Sequence, residues 1–253
     1  RKKIFQRKVA SGFLMLLYKK RIVVTGGTGR FGKELQKIKT NYQLIFPKKK
    51  QLNILNTKSI KKYLASKRPK YLIHLAGLSR PMDVHKKYMN KSIDLNIIGT
   101  ANITKVCSDL NIKLIYFSTS YVYPGVKGNY NEDDPVLPKN NYSWSKLGGE
   151  SSVQMYENSL ILRVCMTEKP FIHKKAFYDF ITNFIYHDEI AKNLIHLINK
   201  RGIINVGGKT QSVYKFAKKY KKNIKKMSAK NILGHDYPLN PSMNIKKYKK
   251  IIK

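Results

Sequence analysis

Tyr142 and Lys146 stand four residues apart in Tyr142-Ser143-Trp144-Ser145-Lys146. On a helix that spacing puts a phenol and an ammonium on one face. A phenol with its ordinary pKa of about 10 is a poor acid or base at neutral pH. A nearby cation favours the phenolate and brings the group into range. Such a tyrosine can exchange a proton with a hydroxyl or a ketone while a hydride moves. A second hydroxyl beside it would polarise the same oxygen. Candidates lie 23 residues upstream, in Phe117-Ser118-Thr119-Ser120-Tyr121-Val122-Tyr123. A Y-x-x-x-K pattern alone arises by chance on any lysine-rich helix. With the hydroxyl cluster and the glycine loop described next, it becomes specific.

That loop is Gly26-Gly27-Thr28-Gly29-Arg30-Phe31-Gly32, directly after the apolar run RIVVT. The first glycine of G-x-x-G-x-x-G permits a tight turn. The second lets backbone approach a pyrophosphate, and the third lets a helix pack on the strand. Free N–H groups at the helix start favour phosphate. Thr28, Arg30 and Phe31 line the same turn. The bland alternative is a tight strand-to-helix turn without a ligand. A dinucleotide site that prefers NAD usually carries an acid after the second strand. Here Ile45-Phe46-Pro47 leads into Lys48, Lys49 and Lys50. Three cations and Arg30 could meet a 2′-phosphate, which favours NADP(H) over NAD(H). The bland reading of those lysines is a solvated loop.

These residues need a sheet to position them. Apolar β-branched runs over 21–25, 43–46, 71–75, 113–117, 160–164 and 203–206 alternate with helical patterns. The helical stretches cover 30–39, 58–67, 84–109, 142–157, 187–199 and 211–221. A short further strand is expected near 52–54. The alternation predicts an α/β fold, a doubly wound parallel (Rossmann) sheet with a small C-terminal substrate-binding portion. Residues 20–164 read as the NAD(P)-binding domain. Residues 165–253 read as the smaller portion, interleaved with the last sheet elements and ending in a short amphipathic helix. Residues 1–19 read as an N-terminal extension, with 1–14 either an upstream extension or a start-site error.

The stretches TGGTGRFG, RPKYLIHLAG, DLNIIGTANI, IYFSTSYVYPG, KGNYNEDDPVLPKNNYSWSKLGGE and INVGGKTQSVYKFAKKY carry a family resemblance. From about residue 20 to about residue 219 the chain resembles the extended short-chain dehydrogenase/reductases, and among them the dTDP-4-dehydrorhamnose reductases. The resemblance implies Thr119, Tyr142 and Lys146 as a catalytic set. It implies Gly26, Gly29, Gly32, Ala76, Gly77 and Asn96 around the cofactor. It implies a keto-sugar nucleotide as substrate. Ser120 and Arg80 are read as substrate-binding: Arg80, in GLSRPMD, follows the strand edge and could meet a phosphate, and a surface loop cation is its plain alternative. There are departures. An acid usually follows the catalytic threonine, where this chain has Ser120. A region usually reading L-D-I-x-D is Leu52-Asn53-Ile54-Leu55-Asn56. The segment between Arg163 and Phe184 is shorter than is usual.

Other residues read as structural. His74 ends a strand and is expected to be hydrogen-bonded. Cys107 reads as helix core and Cys165 as a small buried residue. Trp144 reads as packing, and Glu132, Asp133 and Asp134 as a solvated loop. No metal-ligand spacing links the two cysteines and six histidines. Net charge is +37, from 8 Arg and 43 Lys against 14 acids. Lysine is spread along the chain, and guanidinium, the group suited to bidentate phosphate and base contacts, is scarce. The charge is therefore read as compositional, with no specific nucleic-acid partner. Unpaired cysteines and the absence of a bilayer-length apolar stretch suggest a cytoplasmic protein without a membrane partner. A homodimer is an allowed assembly. The leading expectation is a reductase of a nucleotide-linked keto-sugar. The rivals are an epimerase with tightly bound cofactor and a non-catalytic nucleotide-binding regulatory subunit. A dehydratase is disfavoured by Ser120-Tyr121, and a nucleic-acid binder rests on charge alone.

Overall fold

The first strand, β1 (Arg21–Thr25), is β-branched and buried over its last four residues. Strands covered on both faces take this continuous apolar form. The computed structural model describes residues 19–253 apart from Pro81, His235 and Asp236. The extension expected over 1–14 lies outside the described residues. After β1 come α1 (Arg30–Leu35), β2 (Gln43–Ile45), α2 (Thr57–Lys67) and β3 (Tyr71–His74). Next are α3 (Val84–Lys87), α4 (Met89–Ser92), a π-helical segment (Ile93–Ile98) and α5 (Gly99–Asp109). β4 (Lys113–Thr119), a 3₁₀ turn (Ser120–Val122), α6 (Asn141–Gln154) and β5 (Ser159–Val164) follow.

Beyond β5 the chain makes short strands: β6 (Met166–Thr167), β7 (Lys175–Phe177), β8 (Ile181–Thr182) and β9 (Ile185–Tyr186). Then come α7 (His187–Leu197), β10 (Gly202–Val206), β11 (Gln211–Ser212), α8 (Val213–Lys218), β12 (Lys225–Met227), α9 (Lys230–Leu233) and α10 (Lys246–Ile252). The main sheet runs β10-β5-β4-β3-β1-β2, with every neighbouring pair parallel. This is the doubly wound parallel architecture the alternation predicts. Sheet order reverses between β1 and β3, and ligands of such sheets bind in the crevice at that point.

Two apolar layers sandwich the sheet because successive strand residues point to opposite faces. Ile22, Val24, Ile115 and Phe117 pack on one side with α1 and α7, through Phe31, Ile190 and Leu194. Val23, Leu114 and Tyr116 pack on the other with α2 and α5, through Leu64 and Ile103. The short strands pair as β7 with β12, β8 with β11 and β6 with β9, around a third cluster that includes Phe180, Tyr186 and Phe216. α10 returns to the main sheet. Tyr248 is buried in the first layer, and Asn193 Nδ2 donates to its hydroxyl at 2.8 Å.

The structure corrects three expectations. Residues 52–54 form no strand. Leu52 and Ile54 are buried, but the Asn53 side chain accepts from Leu55 N at 3.1 Å and Asn56 caps α2 by accepting from Ser59 N at 2.9 Å. Local side-chain bonds of this kind compete with sheet pairing. The single helix expected over 84–109 is broken at Tyr88 and passes through the π-helical segment. The first helix ends at Leu35 rather than near 39. No helix among the described residues is long and apolar enough to cross a membrane.

His74, buried at the end of β3, is hydrogen-bonded through Nδ1 to Thr25 Oγ1 at 2.8 Å and through Nε2 to Thr100 Oγ1 at 3.1 Å. Burial, aided by the Lys146 charge, lowers its pKa to about 3. The unfolded chain then takes up a proton near pH 6.5 that the folded chain refuses. Stability is complete above about pH 6.5 and falls as pH drops toward 3, by about 1.4 kcal/mol per pH unit from this group. Urea unfolding at pH 7 and pH 5 should register this loss. His74→Gln should shrink the difference by roughly 2 kcal/mol.

Candidate functional site

Thr119 closes β4 at its carboxyl end, beside the crevice. α6 brings Tyr142 and Lys146 up to it. The helix starts where it does because Asn140 accepts from Ser143 N at 2.9 Å in a capping box. The Thr119 hydroxyl lies close enough to Tyr142 to favour its phenolate, as do the charges of Arg80 and Arg30, yet burial outweighs them and raises the phenol's pKa. The sequence leads one to expect a lowered value. Lys146 does not lower it here: its Nζ sits 4.1 Å from the centre of the Tyr116 ring. Burial depresses the Lys146 pKa to about 7, against the opposing pull of Glu150.

No motif in the sequence marks Glu150, although it continues the four-residue series Tyr142, Lys146, Glu150. Its side chain is 0% exposed and that of Arg163 is 3% exposed. Arg163 donates to Glu150 Oε1 from Nε at 3.1 Å and from Nη2 at 2.7 Å. Ser118 Oγ donates to the other carboxylate oxygen. Arg163 Nη1 also donates to the Tyr123 hydroxyl at 2.8 Å and to the Glu132 carbonyl at 2.9 Å. Glu132 in turn accepts from Asn205 N at 3.0 Å. The solvated-loop reading of Glu132 is thus corrected, because the buried guanidinium needs its carbonyl. Asp134 accepts from Asn131 N and pairs with Lys127 at 3.2 Å.

The glycine loop shapes the other wall. Gly26 has φ +72°, and a Cβ there would meet Ala76 N at 2.6 Å. Only glycine permits both. A Cβ on Gly32 would strike Gly27 O at 2.6 Å, so helix and turn touch. At Gly29 a Cβ would only crowd Gly26 O, at 3.2 Å. Thr28, Gly29 and Arg30 are exposed, and no side chain caps α1. The first-turn N–H groups therefore face an open cradle, which fits a dinucleotide phosphate. Phe31 points inward, against Phe117 and His187.

Ala76 and Gly77 lie beside this loop. Asn96, in the π-helical segment, is buried and fully engaged: Oδ1 accepts from Leu78 N at 2.7 Å, and Nδ2 donates to Leu78 O and Ser145 Oγ at 2.9 and 2.8 Å. It is a strut between the β3 loop and α6. Ser120 is buried in the 3₁₀ turn next to Cys165, whose Sγ lies 2.9 Å from Thr182 Oγ1. Arg30 and Arg80 both reach Glu168, which follows β6. Lys48–Lys50 are exposed beyond Phe46. Cys107 is buried, as expected. Trp144 is 51% exposed, so the packing role expected for it is corrected: with Tyr142 and Lys146 facing the crevice, position 144 falls on the outer face of α6. No cluster of three metal-ligating residues occurs among the described residues.

His85 is a second residue no sequence signal marked. It is buried, with its ring 5.1 Å from the Tyr142 ring and Nδ1 2.7 Å from Ser92 Oγ. Its carbonyl accepts from Asn141 Nδ2 at 3.2 Å, which ties α3 to the start of α6. A cavity of about 10 Å³, room for about one water, is lined by Tyr121, Lys139, Asn140, Phe180, Tyr237 and Pro238.

Residues 20–189 match the RmlD substrate binding domain family. The chain belongs to that family. The fold is shared with the dTDP-4-dehydrorhamnose reductase of Bacillus anthracis str. Ames, solved in complex with NADP, with a TM-score of 0.82 at 24% identity over 92% of each chain. It is similar also to the dTDP-4-dehydrorhamnose reductase of Yersinia enterocolitica, with 26% identity, 88% of this chain and 89% of that one covered, and a TM-score of 0.74. Among curated relatives, Methionine adenosyltransferase 2 subunit beta of Xenopus laevis is 32% identical over 155 residues, which cover 57% of this chain. The chain spans about half the length of the curated relatives it matches, 46% in that case. The family match ends within α7, so β10 to α10 lie beyond it.

Lysine titration follows directly from this geometry. With all lysines carbon-13 methylated and followed by NMR, Lys146 should titrate near 7 and Lys113, buried beside Arg201, near 8. The Lys146→Arg protein should lack the lower transition. A Lys146 signal titrating near the ordinary lysine value of about 10.4 would contradict the burial argument.

Proposed function

We propose that the protein is an NAD(P)H-dependent reductase of a nucleotide-linked keto-sugar, acting in the cytoplasm. The observation that carries this reading is the meeting of Thr119, Tyr142 and Lys146 at the crevice walled by the open glycine cradle. The nicotinamide cofactor would supply the hydride when bound. Gly26, Gly29, Gly32 and the backbone of Thr28 to Phe31 would hold its phosphates, with Ala76 and Gly77 alongside. Lys146 would hold its ribose.

The chain's own part is proton delivery. Burial keeps Tyr142 protonated, the form needed to give a proton to a ketone oxygen. Thr119 positions that oxygen beside the phenol. The phenolate left behind is favoured by Thr119 and by the fields of Arg80 and Arg30. Lys146, one turn along α6 and brought near neutrality by burial, would return the proton from solvent. The two cysteines are unpaired and buried, as in a reducing compartment.

Lys48, Lys49 and Lys50 after Phe46, with no acid among them, favour NADP(H). The similarity to a methionine adenosyltransferase subunit favours a second reading, a nucleotide-binding subunit that regulates a partner enzyme. The complete Thr119, Tyr142 and Lys146 set supports the enzyme. An epimerase would use the same set and is separated from a reductase by net cofactor oxidation.

Fluorescence titration should give tighter binding of NADPH than of NADH; the reverse order would reject the lysine argument. On a panel of 4-keto nucleotide sugars, Tyr142→Phe should lower kcat by about 10²–10⁴-fold, the usual worth of a general acid, with cofactor affinity little changed. An undiminished rate would exclude Tyr142 as the proton donor. Cofactor binding without turnover of any panel member would favour the regulatory subunit.

A further inference from the structure

We propose that Arg30 and Arg80 form a single anion site for the phosphates of the bound dinucleotide, and that Glu168 is its built-in competitor. This rests on the dinucleotide reading above. Arg30 belongs to the glycine loop after β1, and Arg80 to the loop after β3. These two strands flank the point where sheet order reverses. Glu168 approaches from the opposite wall, directly after β6. Its Oε1 lies 3.0 Å from Arg30 Nε and its Oε2 lies 3.8 Å from Arg80 Nη1. One carboxylate therefore straddles two guanidinium groups, one oxygen to each.

That arrangement is the footprint of an anion. Two phosphate oxygens could replace the two carboxylate oxygens. A pyrophosphate brings two charges against two arginines, whereas Glu168 brings one and leaves the pair undercompensated. Guanidinium is the group suited to such contacts, and the chain has only 8 arginines among its 51 cations. Both arginines act on Tyr142 and both act on His187, so the pair stands at the catalytic crevice and not on a remote surface. The Arg30 and Arg80 side chains are 44% and 42% exposed and Glu168 is 22% exposed. They are open enough to exchange one anion for another without unfolding anything. The Glu168 carboxylate must leave both partners, or share them, when a phosphate arrives.

The test is a gain of affinity, which damage to the fold would not produce. NADPH, ADP-ribose and inorganic pyrophosphate are each titrated calorimetrically into wild-type protein and Glu168→Gln. Two exposed ion pairs set the scale, so each ligand should bind Glu168→Gln about 3- to 20-fold more tightly. Glu168→Asp, which keeps the charge on a shorter arm, should gain less. In an Arg30→Gln, Arg80→Gln background the effect of Glu168→Gln should vanish. Unchanged or weaker binding by Glu168→Gln overturns the proposal. So does a gain that persists without the two arginines, since Glu168 would then act only through the general field. Failure of the wild type and of Glu168→Gln to bind any dinucleotide would overturn the cofactor reading itself, and the pyrophosphate arm would then decide the anion site by the same criteria.

Discussion

The Glu150 carboxylate is sealed off from bulk solvent, and the wall of the crevice that carries Tyr142 and Lys146 is arranged around that fact. A buried charge left alone costs several kcal/mol, so its partners are fixed in number and direction. Arg163 supplies two donors from β5 and Ser118 a third from β4. α6 thereby gains a set height and rotation against both strands. Tyr142 and Lys146 occupy the next two turns of that helix, so their place at the crevice is inherited from the ion pair beneath them. The free donor of Arg163 carries the same constraint outward to Tyr123 and the Glu132 loop, and through Asn205 to β10. Loss of Glu150 would strand a guanidinium in the core, at a cost of about 3–5 kcal/mol.

Burial then acts on two groups of opposite charge type and drives both toward neutrality. The phenol of Tyr142 is held protonated and the amine of Lys146 is brought close to losing its proton. One cause thus leaves a neutral phenol and a nearly neutral amine on neighbouring turns of the same helix. Arg30, Arg80 and Thr119 pull the phenol the other way, so the proton is retained without being locked in place. The balance between desolvation and these neighbours, more than any single contact, sets the charge state of the phenol.

Much of this was legible in the sequence because it follows from short-range rules. The RIVVT run and glycine spacing fix a strand, a turn and a helix within a dozen residues. Helical period puts Tyr142 and Lys146 on one face, and the six strands stand out as apolar β-branched runs. What escaped depends on partners distant in sequence. The buried apolar residues at 52 and 54 look like a strand, but Asn53 and Asn56 satisfy backbone locally and no neighbour remains for pairing. The helical pattern of 84–109 is continuous in composition, yet Asn96 must reach both Leu78 and Ser145, and the backbone widens into a π turn there. Glu132 looks like one of three solvated acids until Arg163, 31 residues later, claims its carbonyl. His85 carries no local mark at all. Its contact with Tyr142 exists only because α3 and α6 meet. The two-residue strands after β5 fall below the length at which alternation can be seen.

Tyr248, on α10, sits within the first apolar layer although the chain reaches it only after β10 to α9. A nascent chain whose α10 is still inside the ribosome's exit tunnel therefore cannot finish that layer. β1 to β5 can pair as they emerge, but β10 must dock on β5 and Tyr248 must fill its place between β10 and α7 before that layer is dry. Until then Leu194, Leu197 and Ile204 stay exposed to water and to chaperones. Nascent chains of this protein should consequently pass through an open intermediate that persists until α10 has emerged and docked.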